Sequence, residues 1–195
     1  MIKETWTESV RNRIVMYLIN YRDHREQLEQ RPYFLFEDLA VVFRVADLDD
    51  PLREQPVENA DLERWNIQKE ELYQYAVKNT PELFPAQVKT AEKAEEGNDR
   101  EPVFIVSSRQ GIYGASVLLY PGFLEDFSGR YPWNFFFMPL TLHEVFILLD
   151  RGQYMPDQLH EIAQTYTSEI ISKKDRLSDN IYYYDSEEYQ ILTLY

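Results

Sequence analysis

From Val103 onward the chain is cut into short runs of β-branched and aromatic residues, and hairpin-length breaks between them outnumber longer connections. No other feature constrains the fold as tightly. Val103–Ser108, Gly114–Tyr120, Trp133–Met138, Glu144–Leu149, Ile181–Tyr184 and Tyr189–Leu194 all read as strands. Parallel neighbours need a crossover of about a dozen residues, whereas antiparallel ones close through a hairpin. Arg109-Gln110-Gly111-Ile112 and Asp185-Ser186-Glu187-Glu188 are breaks of hairpin length, and the first supplies a glycine for positive φ. The spacing therefore predicts an α+β fold with a mostly antiparallel sheet.

Helices are expected around that sheet. Thr5 and Glu8 have the spacing of a capping box, and Val10, Ile14, Tyr17, Leu18, Tyr21 and Leu28 recur at steps of three, four or their sums. This predicts an amino-terminal amphipathic helix from about Thr7 to Gln30, closed by Pro32. Leu39–Val45 reads as a strand buried on both faces at its start, and Asp47–Pro56 as a polar loop. Ala60–Trp65 and Ile67–Lys78 read as helices, the second stopped by Pro81. Pro121–Phe127 is expected to be a short helix. Asp157–Ile170 is expected to be an amphipathic helix with Leu159, Ile162, Ala163 and Tyr166 inward. Residues 89–101 carry almost nothing to bury and read as a flexible acidic loop.

The 195 residues fit one domain, and a chain of this size with 44% hydrophobic residues has ample material for a core. With no cysteine, the fold cannot use disulfides, thiolate catalysis or Cys-ligated zinc. The 34 acidic and 20 basic residues give a formal charge of −14, which argues against direct binding to nucleic-acid backbone or to an anionic membrane. The excess is uneven. Residues 1–46 hold seven acids and seven bases, residues 47–101 hold fifteen and seven, and residues 102–195 hold twelve and six. No leader or spanning segment is expected, which makes a cytoplasmic location the expectation.

Gly114-Ala115-Ser116-Val117-Leu118-Leu119-Tyr120-Pro121, His143-Glu144-Val145 and Leu177-Ser178-Asp179-Asn180-Ile181-Tyr182-Tyr183-Tyr184-Asp185 resemble motifs of the "domain of unknown function 5688" family of gut Firmicutes. Leu18-Ile19-Asn20-Tyr21, Asp38–Phe43 and Asn79-Thr80 resemble it too, in the same order. The family has no agreed activity, so the resemblance implies relatives and no mechanism. Two departures stand out. An amino-terminal segment common in the family is expected to be lacking, and a typical Pro-Ser-Ser before the His-Glu pair reads Pro139-Leu140-Thr141-Leu142 here.

Two constellations could carry chemistry. His143 beside Glu144 could act in acid–base catalysis, but neighbours on a strand point to opposite faces. Ser178-Asp179 could supply a nucleophile, although no G-x-S-x-G elbow is present and a turn serine normally bonds its own backbone. An enzyme would have to bring His143, Glu144, Ser178 and Asp179 together. No phosphate-loop or dinucleotide fingerprint and no metal-ligand spacing occurs, so no cofactor or metal is expected. The favoured expectation is a non-enzymatic binding module that meets a basic protein partner through Asp47, Asp49, Asp50, Glu54, Glu58, Asp61 and Glu63. Its most concrete form is an inhibitor that imitates phosphate charge in a nucleic-acid channel.

Overall fold

The computed structural model describes residues 2, 4–50, 53, 55–91 and 102–194. Backbone contacts divide the chain into two compact units, Met1–Pro85 and Ala86–Tyr195. Each has its own antiparallel sheet with helices beside it, so the α+β class holds. No helix among the described residues is long and apolar enough to cross a membrane.

The first unit departs most from the sequence expectation. In place of one long amino-terminal helix there is a single turn α1 (Glu8–Arg11), strand β1 (Ile14–Asn20) and a second single turn α2 (Arg25–Leu28). Thr7 caps α1 by accepting a hydrogen bond from the Val10 N–H, so the cap lies two residues beyond the Thr5 position. The physical reason for the strand is the unbroken run Ile14-Val15-Met16-Tyr17-Leu18-Ile19. A helix with one exposed face cannot bury six consecutive apolar side chains, but a strand covered on both sides can. All six are buried.

β1 pairs along its whole length with β3 (Leu39–Val45), from Ile14↔Val45 to Asn20↔Leu39, and β2 (Phe34–Phe36) adds the other edge. After α3 (Asn59–Trp65), α4 (Lys69–Leu83) buries Leu72, Ala76, Asn79 and Thr80. Its last two buried residues are polar because they serve the free edge of β1. The Thr80 hydroxyl accepts from the Met16 N–H, and the Asn79 amide donates to the Arg11 and Ile14 carbonyls. Pro81 does not stop α4. It lies within the last turn, and the Thr80 hydroxyl just before it donates to the Ala76 carbonyl. Trp6 stacks on Trp65 with ring centroids 4.9 Å apart.

The second unit is a six-stranded sheet in the order β4-β5-β7-β6-β8-β9, antiparallel at every pairing. Its strands are β4 (Ala86–Thr90), β5 (Val103–Ser108), β6 (Phe135–Met138), β7 (Glu144–Leu149), β8 (Tyr182–Asp185) and β9 (Gln190–Thr193). Lys89 and Thr90 belong to β4, so the expected loop at 89–101 starts later; residues 92–101 lie outside the described residues.

Aromatic side chains hold the sheet centre. Phe135, Phe136 and Phe137 on β6 face Tyr184, Tyr183 and Tyr182 on β8, each pair with centroids about 5 Å apart. Successive residues point to opposite faces. Phe136 joins Leu148, Leu159 and Ala163 in a cluster that seats α6 (Pro156–Glu169). Phe135 instead packs on Phe127 of α5 (Phe123–Arg130). Ile162, expected inward, is 64% exposed, because the buried stripe of α6 follows Leu159, Ala163 and Thr167.

Gly114–Leu119, expected as a strand, is a buried 3₁₀ helix. Gly114 explains the placement. A Cβ there would run into the His143 carbonyl and the Ser107 hydroxyl, so this backbone approach needs glycine. Tyr113 just before it is held at φ 47°, in the left-handed region.

Candidate functional site

The approach of Gly114 to the sheet brings three chain segments around His143. The Ser107 hydroxyl at the end of β5 donates to the His143 carbonyl at 2.7 Å. The Thr141 hydroxyl accepts from both the His143 and Glu144 N–H groups, at 3.0 and 2.9 Å, and fixes the turn into β7. The imidazole is held from two sides. Its Nδ1 accepts from the Tyr113 N–H at 3.1 Å, and its Nε2 lies 3.5 Å from Asp175 Oδ1. With Nδ1 accepting, a neutral ring carries its proton on Nε2, toward the carboxylate. A hydrogen bond from Ser172, with lesser help from Lys174 and His143, holds the Asp175 carboxyl below its ordinary range.

This geometry positions a histidine but leaves it little to do. A general base needs a lone pair aimed at a substrate proton, and a metal ligand needs one aimed at the ion. Here the lone pair of Nδ1 is taken by a backbone N–H. The ring joins the 3₁₀ helix, the β7 turn and the segment around Asp175 into one structure.

The remaining members of the enzyme constellation lie elsewhere. Glu144 lines a small depression of about 150 Å³ with Gln87, Lys89, Ser107 and Arg109. His143 is not among its lining residues, in keeping with the alternation of neighbouring side chains along a strand. The Ser178 hydroxyl is buried, exchanges a hydrogen bond with the Tyr182 hydroxyl at 3.2 Å and accepts from the Asn180 N–H. Asp179 is exposed, and its carbonyl oxygen sits 3.1 Å from Nδ1 of His160.

The segment 175–178 runs antiparallel to 139–142. The Leu142 N–H donates to the Asp175 carbonyl, the Leu177 N–H to the Leu140 carbonyl and the Ser178 N–H to the Pro139 carbonyl. Ser178 thus lies opposite Pro139, four residues before His143. Asp175 is the residue that reaches the imidazole. Sequence reasoning missed it, and it missed Ser107, Tyr113 and Thr141. Asp175, Ser107 and Tyr113 reach His143 only because distant segments dock there, which no residue spacing encodes. The Thr141 hydroxyl instead acts two and three residues on, a local turn signal that could have found it. Among the described residues no group of three His, Asp or Glu side chains could hold a metal ion.

The acidic segment divides. Asp49, Asp50 and Glu63 are exposed, Glu58 is half-buried, and Glu54 lies outside the described residues. Asp47 is a turn residue. Its Oδ1 accepts from the Asp50 and Asp49 N–H groups and its Oδ2 lies 3.3 Å from Arg53 Nη1, contacts that lower its carboxyl pKa. Asp61 is fully buried and cannot meet a partner. Its Oδ1 accepts from the Ile2 N–H at 3.0 Å and Arg64 at 2.9 Å, and its Oδ2 accepts from the Glu58 N–H at the start of α3. The spacing of Glu58 and Asp61 is that of a helix start, and this was readable in the sequence.

Comparison with known proteins adds one relationship. A family model described as "Family of unknown function (DUF5688)" matches residues 3–186. No curated protein and no solved structure matches the chain.

Proposed function

We propose that this chain, which belongs to the DUF5688 family of unknown function, is a binding module that meets a basic protein partner through its acidic surface. One observation carries the reading. Residues 47–63 contain seven acids and one base, and Asp49 and Glu63 there are exposed and form no ion pair among the described residues. Uncompensated surface charge of one sign steers a partner of the other sign and rejects like-charged ones. The engagement of His143 and Ser178 by their own neighbours supports a binding role over an enzymatic one. In its sharpest form the proposal makes the partner a nucleic-acid-binding protein whose channel the acidic face occupies, as anti-restriction and anti-CRISPR proteins do.

The test is affinity capture from the native host, with partners identified by mass spectrometry and then purified. The complex should weaken between about 50 and 300 mM salt, where the Debye length shrinks from roughly 14 to 6 Å. An Asp49→Lys, Asp50→Lys, Glu63→Lys variant should lose the partner, while a folded His143→Gln, Ser178→Ala variant should keep it. Asp61 is left unchanged because it holds the fold. Duplex DNA should compete if the partner's nucleic-acid channel is the contact. A partner retained by the charge-reversed variant and lost by the other would sink the proposal.

A further inference from the structure

An open concavity of the first unit carries the opposite charge to the protein as a whole. It is an open cleft of about 700 Å³ between the turn after β1 and the edge strand β2, lined in part by Arg25, Arg31 and Lys69 and by Tyr21, Tyr33 and Phe34. Glu29 is its one acidic lining residue. In a chain with 34 acids and 20 bases, cations have carboxylates to spare, and Arg13, Arg53 and Arg64 each pair with one. Arg25, Arg31 and Lys69 form no ion pair among the described residues.

Two of these cations are held in place without being neutralised. The Lys69 ammonium sits 4.5 Å from the centroid of Phe34 and donates to the Tyr33 carbonyl at 3.3 Å. The Arg25 guanidinium lies 5.9 Å from the centroid of Tyr21. A ring face orients a cation by its quadrupole and leaves the full charge available to a ligand. Tyr21 and Tyr33 lie with centroids 5.9 Å apart, so the cleft also offers flat aromatic surface. The hydrogen bond between their side chains is the main cause that raises the Tyr33 phenol above its usual value.

We propose that this cleft binds a small phosphate-bearing ligand with an aromatic body, of mononucleotide size. The volume lies within the range of small-ligand pockets. Unpaired cations suit the phosphate, and tyrosine and phenylalanine faces suit a planar base. The lining residues are spread over three segments between Tyr21 and Lys69, so no phosphate-binding motif announces them. The proposal stands apart from the acidic surface and does not depend on it.

Isothermal titration of the full chain with AMP, adenosine and inorganic phosphate tests it. AMP should bind saturably, and adenosine and inorganic phosphate should each bind at least about tenfold more weakly, a factor worth one contact of modest strength. An Arg25→Gln, Arg31→Gln, Lys69→Gln variant should lose at least about tenfold in AMP affinity while melting near the wild-type temperature, since Arg25 and Lys69 are exposed and Arg31 is half-buried with no ion pair among the described residues. If that variant misfolds, the single Arg31→Gln change should still weaken AMP measurably. An Arg109→Gln variant, on the other unit, should bind as wild type. Absence of saturable AMP binding overturns the proposal, as does adenosine or phosphate binding as tightly as AMP. AMP affinity unchanged in the neutralised variant overturns it too.

Discussion

The two glycines with the sharpest contrast decide what one methyl group does here. At Gly114 a Cβ would meet the His143 carbonyl, the Ser107 hydroxyl and, at 2.6 Å, the Ser107 Cα. Two of these are backbone atoms that cannot swing aside. Gly114→Ala should therefore cost near the top of the range of about 1–3 kcal/mol typical of overpacking. At about 2–4 °C per kcal/mol for a chain of this size, thermal denaturation should show a fall of up to about 10 °C. Gly129 in α5 has nothing within 4 Å of its Cβ position. Gly129→Ala should raise stability by about 0.5 kcal/mol, because helix favours alanine over glycine. Tyr184 makes a second residue-level case. Its hydroxyl is buried with no hydrogen-bond partner among the described residues, and burial, with smaller contributions from Glu125 and Tyr189, pushes its pKa up to about 12 from the ordinary 10.0. A raised folded-state pKa means the neutral phenol's contribution is fully present below pH 10.0 and is lost as pH rises through about 12. Tyr184→Phe should gain about 1 kcal/mol at neutral pH by removing an unsatisfied group. Urea titrations from pH 9 to about 12 should also show a smaller alkaline loss than in the wild type. An unchanged alkaline limb would assign that loss to other groups.

Elements were legible where a signal within a few residues marks them, and obscure where two conformations could bury the same run. α3 and the β8–β9 hairpin follow from a cap and a turn, signals that act within a few residues. β1 was misread because Val10, Ile14, Tyr17, Leu18 and Tyr21 satisfy helical spacing even though Ile14–Ile19 is apolar at every position. A run buried on both sides has no period, and the β-branched residues within it were the better guide. Gly114–Leu119 failed for the same reason, since a segment buried all round looks alike as strand or 3₁₀ helix. The site shared this limit. The sequence singled out His143, but its partners Tyr113 and Asp175 depend on where two distant segments dock. α4 shows how polar residues mark such docking. Asn79 and Thr80 lie on its buried face because the edge of β1 would otherwise bury unpaired backbone groups. Thr80→Val keeps the shape but leaves the Met16 N–H without its partner, and should cost about 1–3 kcal/mol. Asn79→Leu should cost at least as much, as two carbonyls lose a donor. Hydrogen exchange at Met16 should accelerate in the Thr80→Val variant, and protection equal to wild type would show that the edge is satisfied in another way.

At the scale of the whole chain, the question is whether the two units unfold together. Each has its own sheet, so each could in principle carry its own transition. The junction between them is short. α4 ends at Leu83 and β4 begins at Ala86, and of the two residues between them Phe84 is buried, with the Arg44 guanidinium 5.3 Å from its ring centroid. Independent domains are usually separated by exposed polar linkers. The one stretch of such composition, residues 92–101, falls between β4 and β5, inside the second unit. Scanning calorimetry should therefore give a single endotherm whose calorimetric and van't Hoff enthalpies agree. Thr80→Val weakens the first unit and Gly114→Ala the second, which turns this expectation into a stringent test. In a coupled chain both variants lower the same transition and neither splits it. If Thr80→Val moves one part of the endotherm while Gly114→Ala moves another, the units fold separately. The acidic segment at 47–63 and the basic cleft beside β2 would then belong to a first unit able to work without the second.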